Sequence, residues 1–342
     1  MAFFQILQTA VNAILPIILL ILLGYILRQR GFLTEAFLKN GNRLTFRVLL
    51  PVTLFINVYN IESFAKINWP VVLYSVAMVC LIFLLGLVTL VRATRVPQRK
   101  GVLLQCFFRS NFAIIGLPLA AALGSEEALA VTSVISAFTI PVFNILAVVA
   151  LTIYTGEQNG KKHSVGGMVR SICSNYMILG TLLGLVALGL RSAQIAAFGE
   201  VKLSLRQELP FLYSALSQLK AVTTPFALLV LGGQFSFSAL RGMAKEIVAG
   251  TLGRVVIAPL LGIGAAVLLS RYTDWIQFGV DEYPALIALF GSPTAVSSAI
   301  MAGEMGNDEQ LATQLVVWTS LFSVVMVFVT VCLLLAAGLL RV

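Results

Sequence analysis

The sequence is poor in charge and poorer in catalytic side chains. Lys, Arg, Asp and Glu make up 11% of its 342 residues, against about 25% in a soluble domain. A soluble core could not hide the 59% of residues that are hydrophobic, because much of any globule's surface stays wet. The single histidine, His163, lies in a polar stretch and reads as solvated. No HExxH, GxSxG or phosphate-binding GxxxxGK[ST] motif occurs, which argues against a metalloprotease, a serine hydrolase and an ATP-driven pump. The four cysteines, Cys80, Cys106, Cys173 and Cys332, sit in or beside apolar runs without CxxC spacing. They read as small hydrophobes, and neither a metal nor a cofactor is expected. The start, MAFFQILQTA, lacks a basic region, so the first apolar run is expected to be retained.

What the chain has instead is long apolar runs. A span needs roughly 20 apolar residues, so this length accommodates about ten. The candidates are 6–27, 43–59, 71–91, 102–123 and 128–154, then 168–190, 209–233, 247–269, 285–302 and 311–340. The polar linker GEQNGKKHSVGG divides them into two sets of five. The expected fold is thus an all-α membrane protein, with a first five-helix repeat over 1–155, a linker over 156–167 and a second repeat over 168–342. An odd number of spans per half places the second half upside down relative to the first, the inverted repeat of many secondary transporters.

The net charge of +9 reads as topology, not as nucleic-acid binding. Arg28, Arg30, Lys39 and Arg43 follow the first run, and Arg92, Arg95, Arg99 and Lys100 follow the third. Lys161 and Lys162 lie in the linker, and Arg241 and Lys245 follow the seventh run. All fall on one side if every run spans. The positive-inside rule then puts the linker in the cytoplasm and both termini outside, in a cell (inner) membrane. The acidic GEMGNDEQ after the ninth run dissents, but acids weigh little in the rule. Trp69 and Trp275 fit an outer aromatic belt.

The fourth and ninth runs occupy matching places in the two halves. Each is interrupted by polar, Gly and Pro residues: Arg109, Ser110, Asn111, Gly116 and Pro118 in one, Gly291, Ser292, Pro293 and Thr294 in the other. Gly weakens a helix, and Pro deletes a donor and clashes with the preceding turn. In a bilayer the freed backbone groups must find protein or a watery cavity. Matched breaks of this kind point to a transporter's central site, with half-helix N-termini offered to an anion.

No Asp or Glu lies deep in any run, whereas Arg109 and Arg254 do. An intramembrane Arg costs about 2.5–3.5 kcal/mol on insertion scales and faces protein or water. Either the two pair with a carboxylate ligand, or each snorkels to an interface or binds carbonyls at a break. Arg47 and Lys220 read as near-interface residues. Asn144 and Gln234 line the cavity or join helices by hydrogen bonds.

RSNFAIIGLPLAAALG (109–124), FALLVLGGQFS, RVVIAP (254–259) and SPTAVSSAIMAGEMGNDEQLATQLVVWTSLFS (292–323) resemble the auxin efflux carrier family of transporters, in its bacterial branch. That family includes plant auxin exporters and bacterial permeases assigned to malate, malonate and similar carboxylates. The resemblance implies a fold like the bile-acid symporters and sodium–proton antiporters. Helices 1, 2, 6 and 7 would form a scaffold, possible as a homodimer interface. Helices 3–5 and 8–10 would form a transport domain that moves as an elevator, with helices 4 and 9 crossing inside it. It places Asn111 and Pro118 at the first break and Pro293 and Thr294 at the second. The expected partners are a small organic anion and the bilayer. Coupling to H+ or Na+ stays open, since the third run lacks the acid that plant members carry there. An anion channel or a non-transporting sensor of the same fold is the alternative.

Overall fold

In the computed structural model the described residues are 2–60, 68–116, 119–120, 123–154, 175–235, 240, 242–273 and 276–340. They are helical, with no strand among them beyond one isolated bridge. The 156–167 linker, Pro118 and Trp275 lie outside the described residues. We number the helices α1 (Ala2–Gln29), α2 (Glu35–Leu44), α3 (Leu50–Tyr59), α4 (Trp69–Val88), α5 (Pro97–Phe108), α6 (Glu126–Ile153) and α7 (Tyr176–Phe198). There follow α8 (Leu205–Glu208), α9 (Pro210–Gln234), α10 (Ala244–Leu252), α11 (Ala258–Tyr272), α12 (Glu282–Leu286), α13 (Val296–Glu304) and α14 (Glu309–Ala336).

Six described helices are long and apolar enough to cross a membrane: Trp69–Ala93, Glu127–Ile153, Tyr176–Phe198, Pro210–Gln234, Ala244–Tyr272 and Glu309–Ala336. The two expected broken runs are indeed interrupted, so neither piece of either is span-length.

Proline shapes two of the long elements. Wide π turns at Thr45–Leu49 and Gly253–Ile257 join α2 to α3 and α10 to α11. Pro51 and Pro259 lie two residues beyond them, and each turn contains the residue four places before its proline. There the missing N–H and the ring clash would otherwise break the ladder.

Three expected boundaries shift most. The second helix starts at Glu35, because Thr34 caps it by accepting from the Phe37 amide. Arg47 lies inside that helix, exposed and 5.8 Å from the Tyr176 ring. The sixth helix runs from Tyr176, capped by Asn175, to Phe198, where Gly199 at φ +77° ends it. Arg191, one residue past the expected end at 190, lies within the helix, where its Nη1 donates to the Tyr59 carbonyl at 2.7 Å.

Packing pairs α1 with α9 and α3 with α7. The α1–α9 approach is close enough that a Cβ on Gly24 would meet the Leu229 carbonyl and one on Gly232 the Ile21 carbonyl. Small residues at such contacts let backbones touch where lipid supplies no hydrophobic drive. Helices α4–α6 and α10–α14 supply most of the large core, to which α1, α3, α7 and α9 add residues such as Ile21, Leu54, Ile178 and Leu228; Ile135, Leu286, Ile287 and Leu289 are fully enclosed in it.

Candidate functional site

The centre of that core is where the two broken runs meet. α5 stops at Phe108, and Arg109 turns extended (φ −89°, ψ 102°). Ser and Asn compete with the helical ladder through their own side chains, so Ser110–Asn111 is a natural stop. A π turn over Phe112–Gly116 resumes the coil. In the other half, α12 continues into a π turn at Ile287–Gly291, and Ser292–Ala295 is extended before α13. Ser110 and Thr294 form an antiparallel bridge. The Asn111 amide donates to the Pro293 carbonyl at 2.8 Å, and the Ala295 amide to the Arg109 carbonyl at 3.2 Å. Thr294 Oγ1 also donates to the Arg109 carbonyl, while its amide donates to Thr319 Oγ1 on α14. The backbone freed by each break is thus satisfied largely by the other break and its neighbours.

Gly116 lies on the turn, not in the extended gap, and a Cβ there would stand 2.9 Å from the Ala288 carbonyl. It lets the two turns touch. Gly291 closes the second turn, against Val327. Pro293 lies in the second gap, where it cannot donate to the bridge. Ser292 directs its hydroxyl back to the Ala288 carbonyl at 2.6 Å.

The two buried arginines have opposite surroundings. Arg254, 0% exposed, donates from Nε to the Ser292 carbonyl (2.9 Å) and from Nη1 to Phe107 (3.1 Å) and Phe108 (3.4 Å). Its Nη2 donates to the carbonyls of Leu289 (3.1 Å) and Phe290 (3.0 Å). A guanidinium has five N–H donors, and every nitrogen here is engaged by carbonyls at the C-terminal ends of two half-helices. The cation also answers two negative dipole ends. Of the alternatives open for Arg254, this is the geometry of carbonyl binding at a break.

Arg109, 3% exposed, is far less satisfied. Nη2 donates to Asn144 Oδ1 on α6 at 2.8 Å, and Nη1 meets Met301 Sδ on α13 at 3.2 Å. No described carboxylate pairs with it; the ion pairs among described residues join Arg99 to Glu246 and Asp308. Beside it, Ser110 Oγ, Asn111 Nδ2 and Asn144 Nδ2 are buried without partners. So are Gln105 Oε1, one turn before Arg109, and Ser298 Oγ on α13. α13 begins at Val296 with Ala295 as its cap residue and no side-chain cap; the Ala295 and Ser298 amides are engaged by the Arg109 and Ala295 carbonyls. Buried polar groups are nearly always partnered, so these five side-chain atoms call for a water, an ion or a ligand at the crossing. Among described residues no cluster of His, Cys, Asp and Glu could hold a metal.

The structure thus gathers Arg109, Ser110, Asn111, Asn144, Ser292, Pro293 and Thr294 at one crossing, with Arg254 behind it. Gln234 is elsewhere, on the cavity between α2, α9 and α14. Sequence reasoning missed Gln105 and Met301. Gln105 carried a signal, since it falls four residues before Arg109 and so on the same helical face. Met301 carried none, reading as one more apolar residue.

Residues 9–331 match a family described as membrane transport protein. The chain is also similar to an uncharacterized transporter of Methanocaldococcus jannaschii, 23% identical over 321 residues. That stretch covers 92% of this chain and 96% of the archaeal protein. Both likenesses run through the broken segments as well as the long apolar helices. This chain is a multi-pass membrane protein of the membrane transport protein family, to which the auxin efflux carriers belong.

Proposed function

We propose that the protein is a secondary transporter of a small organic anion, a carboxylate such as malate, malonate or an auxin-like acid. The carrying observation is Arg109. It is a buried cation with no acid paired to it among the described residues, with two of its five donors engaged, amid Ser110, Asn111 and Asn144 atoms that lack partners. A carboxylate would bring the missing charge and the acceptors for the remaining Arg109 donors and for both amides. Thr294 and Pro293 position the crossing strand, and Arg254 holds the half-helices in place instead of touching the anion.

The same reading makes the fold ten spans in two inverted halves. Its support is that helix contacts recur when the halves are exchanged: α1 with α9 mirrors α7 with α3, and α4 with α5 mirrors α11 with α12 and its π turn. The scaffold would be α1–α3, α7 and α9, and the moving body α4–α6 with α10–α14. Because the Arg109 cluster is buried, an anion reaches it only after a conformational change, as alternating access by an elevator movement requires. In the same reading the protein lies in the inner membrane with its linker in the cytoplasm, an orientation that the loop charge supports.

A thermal-unfolding screen of purified protein against mono- and dicarboxylates, at several pH values and sodium concentrations, tests this. A ligand of the native state adds about 2.7 kcal/mol at a hundredfold excess over Kd. Arg109→Ala should abolish the rise and Asn144→Ala should weaken it. If no carboxylate stabilises the wild type, or Arg109→Ala responds equally, the anion site is wrong.

A further inference from the structure

Away from the crossing, one carboxylate is held by partners from the other body. Glu309 opens α14, and its Oε1 accepts from Asn42 Nδ2 on α2 and from Gln234 Nε2 at 2.8 Å on α9. Asn42 and Gln234 belong to the scaffold side, Glu309 to the side that would move. All three line one cavity of about 790 Å³ between α1, α2 and α9 and the α13–α14 corner. The titratable and charged groups facing Glu309 there are Tyr25 and Arg28 on α1, Glu35 and Lys39 on α2, and Glu304 on α13. None of the cations is within ion-pair distance of it. Asn42 is buried, and its Oδ1 has no partner.

These features fit a group that holds a proton part of the time. An ionised Glu309 uses the two amide N–H donors. A protonated Glu309 offers an O–H, for which the free Asn42 Oδ1 is the acceptor after a turn of the amide. Both donors sit on the opposite body, so sliding would withdraw them together and leave the carboxylate to take a proton from cavity water. The Oε–H bond forms from a hydronium ion and is given back to water when the donors return.

We propose that Glu309, with Asn42 and Gln234, is a proton-binding site that couples protonation to the position of the α13–α14 body. This rests on the transporter reading above for its role in flux, but the site itself is open to test without a substrate. Infrared difference spectra of the full-length protein in lipid, across a pH titration, should show a carboxyl band in wild type that is missing in Glu309→Gln. Asn42→Ala removes a charge-assisted donor to the ionised form and a weaker, neutral acceptor for the protonated form. It should therefore still move the midpoint of that band to higher pH, equivalent to about five- to tenfold tighter proton binding. In proteoliposomes, radiolabelled malonate is the flux probe. Wild type should accumulate it under an imposed proton gradient, whereas Glu309→Gln should exchange it without gradient-driven accumulation. Identical infrared titrations of wild type and Glu309→Gln, or an unmoved midpoint in Asn42→Ala, would overturn the site. Undiminished accumulation by Glu309→Gln would overturn the coupling. A wild type that binds and moves no carboxylate counts against the anion reading, and the infrared result then decides this site alone.

Discussion

Replacing the two buried arginines separately should move stability in opposite directions. In Arg254→Met four carbonyls lose donors that stand at 2.9–3.1 Å, with a fifth at 3.4 Å. A buried group left without its partner costs about 1–3 kcal/mol. Four of them cost at least about 4 kcal/mol, and the facing helix C-termini lose about 1 kcal/mol more of dipole stabilisation. Relief of the guanidinium's own desolvation offsets part of this, leaving a net loss of about 3–5 kcal/mol. That is a large share of the roughly 5–15 kcal/mol by which proteins are stable. Arg254→Lys keeps the charge but has three donors for five carbonyls, so its loss should be intermediate.

In Arg109→Met only Asn144 Oδ1 and Met301 Sδ lose a partner. That costs about 1 kcal/mol, while removal of an uncompensated buried cation returns several. Thermal unfolding in detergent without added anion should therefore rank Arg109→Met at or above wild type. Arg254→Lys should fall below wild type, and Arg254→Met lowest. The Arg109 variant should also be the one whose Tm stops responding to carboxylate. If Arg109→Met falls as far as Arg254→Met, or Arg254→Met unfolds with wild type, the division of labour between the arginines is wrong.

Two further outcomes follow from the packing and the charge pattern. Gly232→Ala drives a Cβ into the Ile21 carbonyl and should destabilise the α1–α9 pair by about 1–3 kcal/mol, the cost of overpacking. Its readout is the same unfolding assay, with Gly189→Ala on α7, where a Cβ meets nothing, as the control. A single cysteine replacing Ser164, on an otherwise cysteine-free background, should react with an impermeant maleimide in inverted vesicles and not in intact cells. The reverse labelling would turn the whole topology over.

The breaks were legible because polar residues are conspicuous in apolar runs: Ser110–Asn111 and Ser292–Thr294 had no other reason to be there. The function of Arg254 was not legible. Its acceptors are backbone carbonyls, which every residue has, and one of them lies 147 positions away. Sequence pattern identifies a charge that needs a partner but cannot see a partner made of main chain. The same blindness misplaced the end of the sixth helix, since Arg191 looks like a loop residue until the Tyr59 carbonyl is found beneath it. The start of α2 was missed for a different reason: EAFLKNGNRL is too polar to read as part of a span, and only the Thr34 cap announces it.

The bridge between the breaks also sets an order on how the protein is made. Arg109 and Thr294 are 185 residues apart. At a synthesis rate of roughly 5–20 residues per second, the first broken segment is complete about 10–40 s before its partner leaves the ribosome. During that interval its extended backbone and its guanidinium have none of the contacts described for them in the second half. A ribosome stalled before residue 294 thus releases a membrane intermediate with an exposed polar seam, a substrate for quality-control proteolysis. The last third of the chain rescues the first.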